Sequence, residues 1–194
     1  MRLTSFGRRL EVYGDDVGYA LVALGQVPEI EKLLHLCVTA QRIFVAGNGG
    51  SAADAQHFIA ELIGRFERER LPLAGICLNT DTSIMTAVGN DYGFNAVFER
   101  QVSALGQPGD VLVALTTSGN SSNVLRAIEA AHEREMQIIA LTGKGGGQVN
   151  TLLYETDIHL CVPHDRTMRI QEVHTMLLHA LCDGIDALLL GDPL

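Results

Sequence analysis

The chain contains no tryptophan and only 5% aromatic residues, and its 14 Lys and Arg residues are outnumbered by 23 Asp and Glu residues. The formal net charge of −9 excludes a generally basic surface, which binders of nucleic acid or acidic membranes need. We therefore expect no nucleic-acid partner, although this charge still allows a local basic pocket. The hydrophobic share of 47% over 194 residues is enough to build the core of one domain.

Long apolar runs and paired cysteines are also missing. No stretch of about 18 uncharged apolar residues occurs, so no membrane span is expected. Residues 1–9 lack the apolar core and the cleavage site of a secretory signal. The four cysteines form no CxxC pair, and each lies in an apolar run: Cys37, Cys77, Cys161 and Cys182. This pattern predicts buried, reduced thiols and a cytoplasmic protein.

The first 40 residues have the spacing of helices. Apolar residues from Leu10 to Cys37 recur at three- and four-residue steps. Pro28 suits the first turn of the second of two helices, because its missing N–H costs nothing there. Two helices this apolar need a covering surface, and a partner chain is one candidate. We interpret residues 1–40 as an N-terminal helical oligomerisation segment and residues 41–194 as the main domain.

From residue 42 onward, short apolar runs alternate with helical segments. Strands are predicted at residues 43–46, 73–78, 111–115, 137–141 and 157–162. Helices are predicted at residues 52–65, 83–88, 96–104, from residue 122 to about 135, and 169–190. Continuous apolar strands between helices indicate a parallel sheet that is covered on both faces. The predicted fold class is α/β, a three-layer α-β-α sandwich with a five-stranded parallel sheet, preceded by N-terminal helices.

Two turns of small polar residues follow predicted strands, where open parallel sheets bind ligands. The first, Gly47–Ser51, has glycines that allow close backbone approach before a helix, although a plain tight turn explains it equally well. The second, Thr116–Ser121, has four hydroxyls in six residues at a helix N-terminus. Neutral donors, free amides and the helix dipole can hold a phosphate there without a lysine. This turn favours phosphate binding over an ordinary serine helix cap.

Ionisable side chains follow the first of these turns. His57 and Glu61 are four residues apart on the predicted helix, so imidazole and carboxylate share one face. Arg65 follows one turn later on the same side. The structural alternative is a solvated His–Glu–Arg face, and the position of this helix after a ligand-type turn favours a site.

Two more polar groups stand out farther along the chain. Gln171 and His179 are two turns apart on the last predicted helix, among apolar neighbours. They are either hydrogen-bonded core residues or site residues. Asn90 and Asp91 are flanked by Gly89 and by Tyr92-Gly93, and an Asx-type turn is their structural alternative.

Together these segments resemble the SIS (sugar isomerase) domain, and within it the sedoheptulose 7-phosphate isomerases. The resemblance extends over about residues 41–186. It is carried by Gly47–Ser51, His57 with Glu61, Gly89–Asp91, Thr117–Ser121, Leu141–Gly143, and Arg169–Glu172 with His179. Met168 is a departure, because some members have Asp immediately before the Arg-Ile-Gln motif.

The resemblance implies roles for individual residues. Glu61 and His179 would be the acid/base pair, and one zinc ion per subunit would be bound by His57, Glu61, Gln171 and His179. The implied contacts to the sugar phosphate are Asn48, Gly49, Gly50, Ser51, Glu61, Arg65, Asn90, Asp91, Thr116, Thr117, Ser118, Ser121 and Gln171. A homotetramer with sites built between subunits is also implied.

The implied reaction converts sedoheptulose 7-phosphate to D-glycero-D-manno-heptose 7-phosphate through an enediol, the first step of nucleotide-activated heptose synthesis for a surface glycan such as lipopolysaccharide. One alternative is a DiaA-type tetramer, which has this fold but binds a replication initiator without catalysis. Another is a sugar-phosphate-sensing module. The carboxylate of Glu61 favours the enzyme, because we expect a small residue at that position in DiaA-type proteins.

Overall fold

The computed structural model describes residues 5–25 and 30–192. Its centre is a sheet of five parallel strands in the order β2-β1-β3-β4-β5. The strands are β1 Ile43–Gly47, β2 Gly75–Cys77, β3 Val111–Thr116, β4 Gln137–Gly143 and β5 Ile158–Val162. Every residue of β1 and β3 is buried, as a sheet that is covered on both faces requires.

Helices cover both faces of the sheet. They are α1 Ser5–Leu24, α2 Ile30–Thr39, α3 Gly50–Ile63, α4 Thr82–Tyr92, α5 Glu99–Leu105, α6 Ser122–Glu133, α7 Val149–Leu152 and α8 Thr167–Leu190, with short 3-10 turns at Phe94–Ala96 and Lys144–Gly146. Alternate strand residues point to opposite faces. Val45 and Val113 pack with α3 and α8, and with α1 and α2, on one face. Phe44 and Leu112 pack with α5 and α6 on the other.

The predicted three-layer sandwich is confirmed, and several boundaries differ. β2 has only three residues instead of six, because the chain before it hydrogen-bonds to the end of α3 through Leu73 N–H and the Leu62 carbonyl oxygen. α3 ends at Ile63, with Gly64 as its C-cap, so the prediction that Arg65 lies on this helix was wrong. The segment predicted as one helix over 96–104 is a 3-10 turn followed by α5, and α7 was not predicted. Pro28 lies outside the described residues.

Helix α8 is 24 residues long. Within the described residues, it alone is long and apolar enough to span a membrane by length and composition. Charged residues still interrupt the apolar run, because Glu172 and Asp183 limit its uncharged part to residues 173–182. In the fold, Ile170, Val173 and Ile185 are completely buried in the core, which is the arrangement of a core helix.

His174 fixes α8 to the end of β4. Its side chain is completely buried, and Nε2 lies 3.0 Å from the carbonyl oxygen of Thr142. Because a carbonyl oxygen can only accept, Nε2 carries the proton. Nδ1 is buried and has no hydrogen-bond partner within the described part of the chain. Burial lowers the pKa of His174 from the ordinary 6.5 to about 4, which the hydrogen bond to Thr142 opposes only in part.

This lowered pKa predicts a loss of stability in mild acid. Between pH 6.5 and 4 the unfolded chain binds a proton at His174 that the native state does not, so the free energy of unfolding falls as the pH falls. His174→Gln keeps a side-chain N–H and removes this dependence, a difference of about 2 to 3 kcal/mol in urea unfolding compared at about pH 6.5 and 4.5. The control is His35→Gln at an exposed histidine. An unchanged pH dependence in His174→Gln would contradict the assignment.

Candidate active site

The turn after β1 depends on glycine. A Cβ at Gly47 would lie 2.6 Å from the backbone oxygen of Ser51, and Gly49 has a φ of 59°. The Asn79 amide supports the turn by donating to the Gly47 carbonyl oxygen at 2.8 Å and accepting from the Gly47 N–H at 3.3 Å. No side chain caps α3, and the N–H groups of Ser51 and Ala52 donate to the carbonyl oxygens of Asn48 and Gly49 within the turn. Among the described residues, the Gly50 N–H has no such partner and is available to a ligand.

The turn after β3 leaves the N-terminus of α6 open in the same way. Ser121 is the N-cap residue, but its side chain makes no cap hydrogen bond. Its Oγ lies 3.0 Å from Oγ1 of Thr116, and Ser118 Oγ accepts from the Asn120 N–H at 3.1 Å. The ordinary serine cap that was the structural alternative is therefore not formed. Hydroxyls and free amides surround this end of α6, an arrangement suited to an anion.

An amide pair joins the two turns. Asn48 Nδ2 donates to Asn123 Oδ1 at 2.8 Å, and Asn123 Nδ2 donates to Asn48 Oδ1 at 2.9 Å. The pair forms because β1 and β3 are neighbours, with Gly47 opposite Leu115. Sequence analysis missed Asn123, whose only signal was a polar residue on the buried side of the first turn of α6. The pair places both open helix ends at one edge of the sheet.

His57, Glu61 and His179 come together where α3 lies against α8. The Nε2 atoms of His57 and His179 are 2.9 Å apart, and His57 Nε2 is 3.5 Å from Glu61 Oε1. The ring of Phe66 lies beside that of His179, with 5.7 Å between centroids. Two imidazole nitrogens this close need a proton or a cation between them. The site is partly open, since the His57 side chain is about half exposed and that of Glu61 is mostly buried.

Asp54 is a fourth ionisable residue at this contact, and sequence analysis missed it. Thr175 Oγ1 donates to Asp54 Oδ1 at 2.9 Å, linking α3 and α8 one turn before the histidines. Burial raises the pKa of Asp54, against the lowering effects of the Thr175 hydrogen bond and of His57 and His179. Its three-residue spacing from His57 on α3 was a signal that could have identified it.

Gln171 lies at the start of α3, apart from the His57, Glu61 and His179 contacts. A Cβ at Gly50 would be 2.6 Å from Gln171 Nε2, so a side chain at position 50 would collide with the Gln171 amide. Its side chain makes no hydrogen bond to another described residue. Gln171 therefore lies on the α3 side of α8, between the open helix end and the histidines.

Three predicted substrate contacts lie away from this cluster. Arg65 is exposed after the end of α3, and its Nε is 3.4 Å from Glu69 Oε2. Asn90 and Asp91 lie in the last turn of α4, and Asn90 Nδ2 donates to Asp91 Oδ1 at 2.7 Å. The Asx-turn alternative is therefore wrong, because both residues are helical. α4 contains no buried residue, so a single copy of the chain leaves this pair on its surface.

The donors at the contact of α3 and α8 suit zinc in kind. Two imidazole nitrogens and a carboxylate oxygen are ordinary zinc ligands, and His57, Glu61 and His179 provide them. Among the residues that the structure describes, no three His, Cys, Asp or Glu side chains already surround one common point as a metal site. Small side-chain movements would thus be needed to close a coordination shell.

Comparison with known families shows which proteins this chain is similar to. A family model described as "SIS domain" matches residues 23–143. The phosphoheptose isomerase of Bordetella avium (strain 197N) is 73% identical over 163 residues, which is 84% of this chain and 83% of that protein. The phosphoheptose isomerase of Methylibium petroleiphilum (strain ATCC BAA-1232 / LMG 22953 / PM1) is 62% identical over 157 residues, or 80% and 78% of the two chains.

Solved structures give the same result. The phosphoheptose isomerase GmhA from Neisseria gonorrhoeae superposes with a TM-score of 0.86 at 47% identity, covering 94% of this chain and 100% of that chain. A phosphoheptose isomerase from Francisella tularensis superposes with a TM-score of 0.87 at 41% identity, covering 95% of this chain and 99% of that chain.

The open turn at α6 predicts an anion site that can be tested by itself. Ser121→Ala removes a hydroxyl but leaves the helix N-terminus in place, so we expect about tenfold weaker binding of inorganic phosphate in calorimetry, the worth of one hydrogen bond. The matched control is Ser103→Ala, at an exposed serine of α5. Equal phosphate affinity in Ser121→Ala and the unaltered protein, or no phosphate binding in either, would contradict this assignment.

Proposed function

Because this chain belongs to the phosphoheptose isomerases of the SIS domain family, we propose that it converts sedoheptulose 7-phosphate to D-glycero-D-manno-heptose 7-phosphate. The observation that carries this proposal is the contact of Glu61, His57 and His179 on two helices, together with an open, hydroxyl-rich helix N-terminus near the start of α3. The replication-initiator alternative is not supported, since the relatives described above are named as isomerases.

The phosphate is proposed to bind at the turn after β3. Thr116, Thr117, Ser118 and Ser121 supply the hydroxyls there, and Asn48, Gly49, Gly50 and Ser51 line the neighbouring turn. His57 is seven residues, or about 10 Å, along α3 from Gly50. An extended seven-carbon phosphate ester can span such a distance. Binding at the phosphate end would hold the reacting carbons in place.

Isomerisation moves a proton from C1 of the ketose to C2 of the aldose through an enediol. The carboxylate of Glu61 would remove and return the carbon-bound proton, a step to which one positioned base contributes roughly 10²–10⁴-fold. His179 would move protons on the two oxygens, and its 2.9 Å contact with His57 provides a route for them. The mostly buried position of Glu61 would limit competition from water.

Zinc, one ion per subunit, is proposed as the cofactor. His57, Glu61 and His179 would hold it, and Gln171 would have to move from its position beside Gly50 to become a fourth ligand. A bound zinc ion would polarise the carbonyl and hydroxyl oxygens of the sugar. A carboxylate that is bound tightly to zinc is a weaker base, so the metal-binding and base roles of Glu61 would have to alternate.

A homotetramer is proposed from surfaces that one copy leaves uncovered. The side chains of Tyr19 and Val22 on α1 are 70% and 66% exposed, and α4 contains no buried residue. Other copies of the chain that pack on these surfaces would bury the apolar groups. In such an assembly Asn90, Asp91 and Arg65 would be able to contact a substrate bound at a neighbouring subunit.

A cytoplasmic location is proposed as well, since the substrate is a sugar phosphate of intermediary metabolism. The reaction would be the first step of nucleotide-activated heptose synthesis for a surface glycan such as lipopolysaccharide.

The proposed base is tested by replacing one oxygen. Glu61→Gln keeps the size and hydrogen-bonding capacity of the side chain but cannot accept the carbon-bound proton, so we expect kcat for sedoheptulose 7-phosphate to fall by about 10²–10⁴-fold with unchanged circular dichroism. Glu129→Gln, at an exposed residue of α6, should retain full activity. An active Glu61→Gln protein would refute the role of Glu61. No aldose from the unaltered protein, with or without added zinc, would refute the proposed function.

Zinc content is measured independently of turnover. We expect about one zinc ion per subunit by elemental mass spectrometry, and loss of most of it in His57→Ala, because an imidazole ligand is removed. His35→Ala, at an exposed histidine of α2, should keep its zinc. Full zinc content in His57→Ala, or zinc-free protein that isomerises at an undiminished rate in chelator, would contradict the zinc site.

A further inference from the structure

The end of α3, which carries Glu61, is capped by a residue from the following loop. The last carbonyl oxygens of a helix have no partner within the helix. Arg70 supplies the partners here, since its Nη2 donates to the Glu61 carbonyl oxygen at 2.8 Å and its Nη1 donates to the Leu62 carbonyl oxygen at 2.9 Å. One guanidinium therefore fixes the backbone at the residue that carries the proposed base.

The same guanidinium is tied to α8. Arg70 Nε donates to Asp186 Oδ1 at 2.6 Å, and the two side chains are only 2% and 1% exposed. Asp186 lies seven residues, two helical turns, after His179, so both lie on one side of α8. Arg70 thus joins the backbone of Glu61 to the helix that carries His179.

Stability alone does not explain this ion pair. Removing two charges from water costs several kcal/mol per ion, and apolar residues of similar size often replace such pairs without loss of stability. What the forked guanidinium provides, and an apolar pair would not, is a directional connection between two helices.

A second polar contact lies on the other side of the histidines. Thr175, four residues before His179, donates to Asp54, three residues before His57. The Asp54–Thr175 bond and the Arg70–Asp186 pair therefore bracket the contact between His57 and His179 along α3 and α8. Sliding or rotation of either helix would break at least one of them.

We propose that Arg70, held by Asp186, is a positioning residue that sets the location of the Glu61 carboxylate relative to His179. This inference rests on the proposed isomerase function. It follows from the geometry because proton transfer requires base and acid at fixed positions, and a displacement of about 1 Å costs about 10²-fold in rate. Arg70 touches no substrate in this account and acts only through Glu61.

The test is Arg70→Lys, which keeps the charge but cannot make three forked hydrogen bonds. We expect kcat for sedoheptulose 7-phosphate to fall 10- to 100-fold, with KM changed less than about threefold because the phosphate turn is untouched. Arg70→Lys combined with Glu61→Gln should be no slower than Glu61→Gln alone, since Arg70 acts through that carboxylate. Asp186→Asn keeps an oxygen that can accept from Arg70 but loses the charge. It should also lower kcat with little change in KM, and it replaces Arg70→Lys as the test if that variant does not fold.

The chain offers a matched control outside the contact of α3 and α8. Arg42 Nη2 donates to Asp110 Oδ2 at 2.6 Å and to the Leu105 carbonyl oxygen at 3.0 Å, and Asp110 is fully buried. Arg42→Lys should lower the melting temperature and leave kcat unchanged.

The outcomes separate the two proposals. Inactivity of the unaltered protein would overturn the proposed function. If the unaltered protein is active, wild-type kcat in Arg70→Lys and in Asp186→Asn would overturn the positioning role. An equal fall of kcat in Arg42→Lys, or additive losses in the double variant with Glu61→Gln, would overturn it too.

Discussion

The contact between α3 and α8 is the interaction on which the candidate site depends. His57 and His179 are 122 positions apart along the chain, yet their Nε2 atoms are 2.9 Å apart because both helices pack on the same face of the sheet. Apolar residues of both helices hold that packing, with Phe58 and Leu62 on α3 and Val173 and Ile185 on α8. The ionisable side chains lie where the two helices meet, so the core determines their separation.

Strand order determines where the other half of the site lies. With β1 and β3 as neighbours, the two turns that follow them are adjacent, and the Asn48–Asn123 pair connects them. Glycine at position 47 allows α3 to begin immediately beside the end of β1. The start of α3 therefore belongs to the proposed phosphate end, and its later turns belong to the proposed acid/base end.

Sequence patterns predicted most of the features that depend on local spacing. Buried strands appear as continuous apolar runs, and His57 and Glu61 share a helix face because they are four residues apart. Strand order has no such local signal, and neither do partners that meet through folding, such as Asn48 with Asn123 or Arg70 with Asp186. Arg65 was placed on α3 because the helical pattern continued, whereas Gly64 and the Arg70 cap end the helix before it. Asn90 and Asp91 on α4 would contact substrate only at a site that a second copy of the chain completes, and the sequence of one chain does not reveal such a site.

The central claim is that one substrate molecule reaches from the turn at α6 to the contact of α3 with α8. A crystal structure of the Glu61→Gln protein with sedoheptulose 7-phosphate tests it most directly. The account predicts phosphate oxygens in hydrogen-bond contact with Ser118 and Ser121, and carbons C1 and C2 beside residue 61 and His179. A sugar bound with its phosphate away from the α6 turn, or with C1 and C2 out of reach of residue 61, would contradict it.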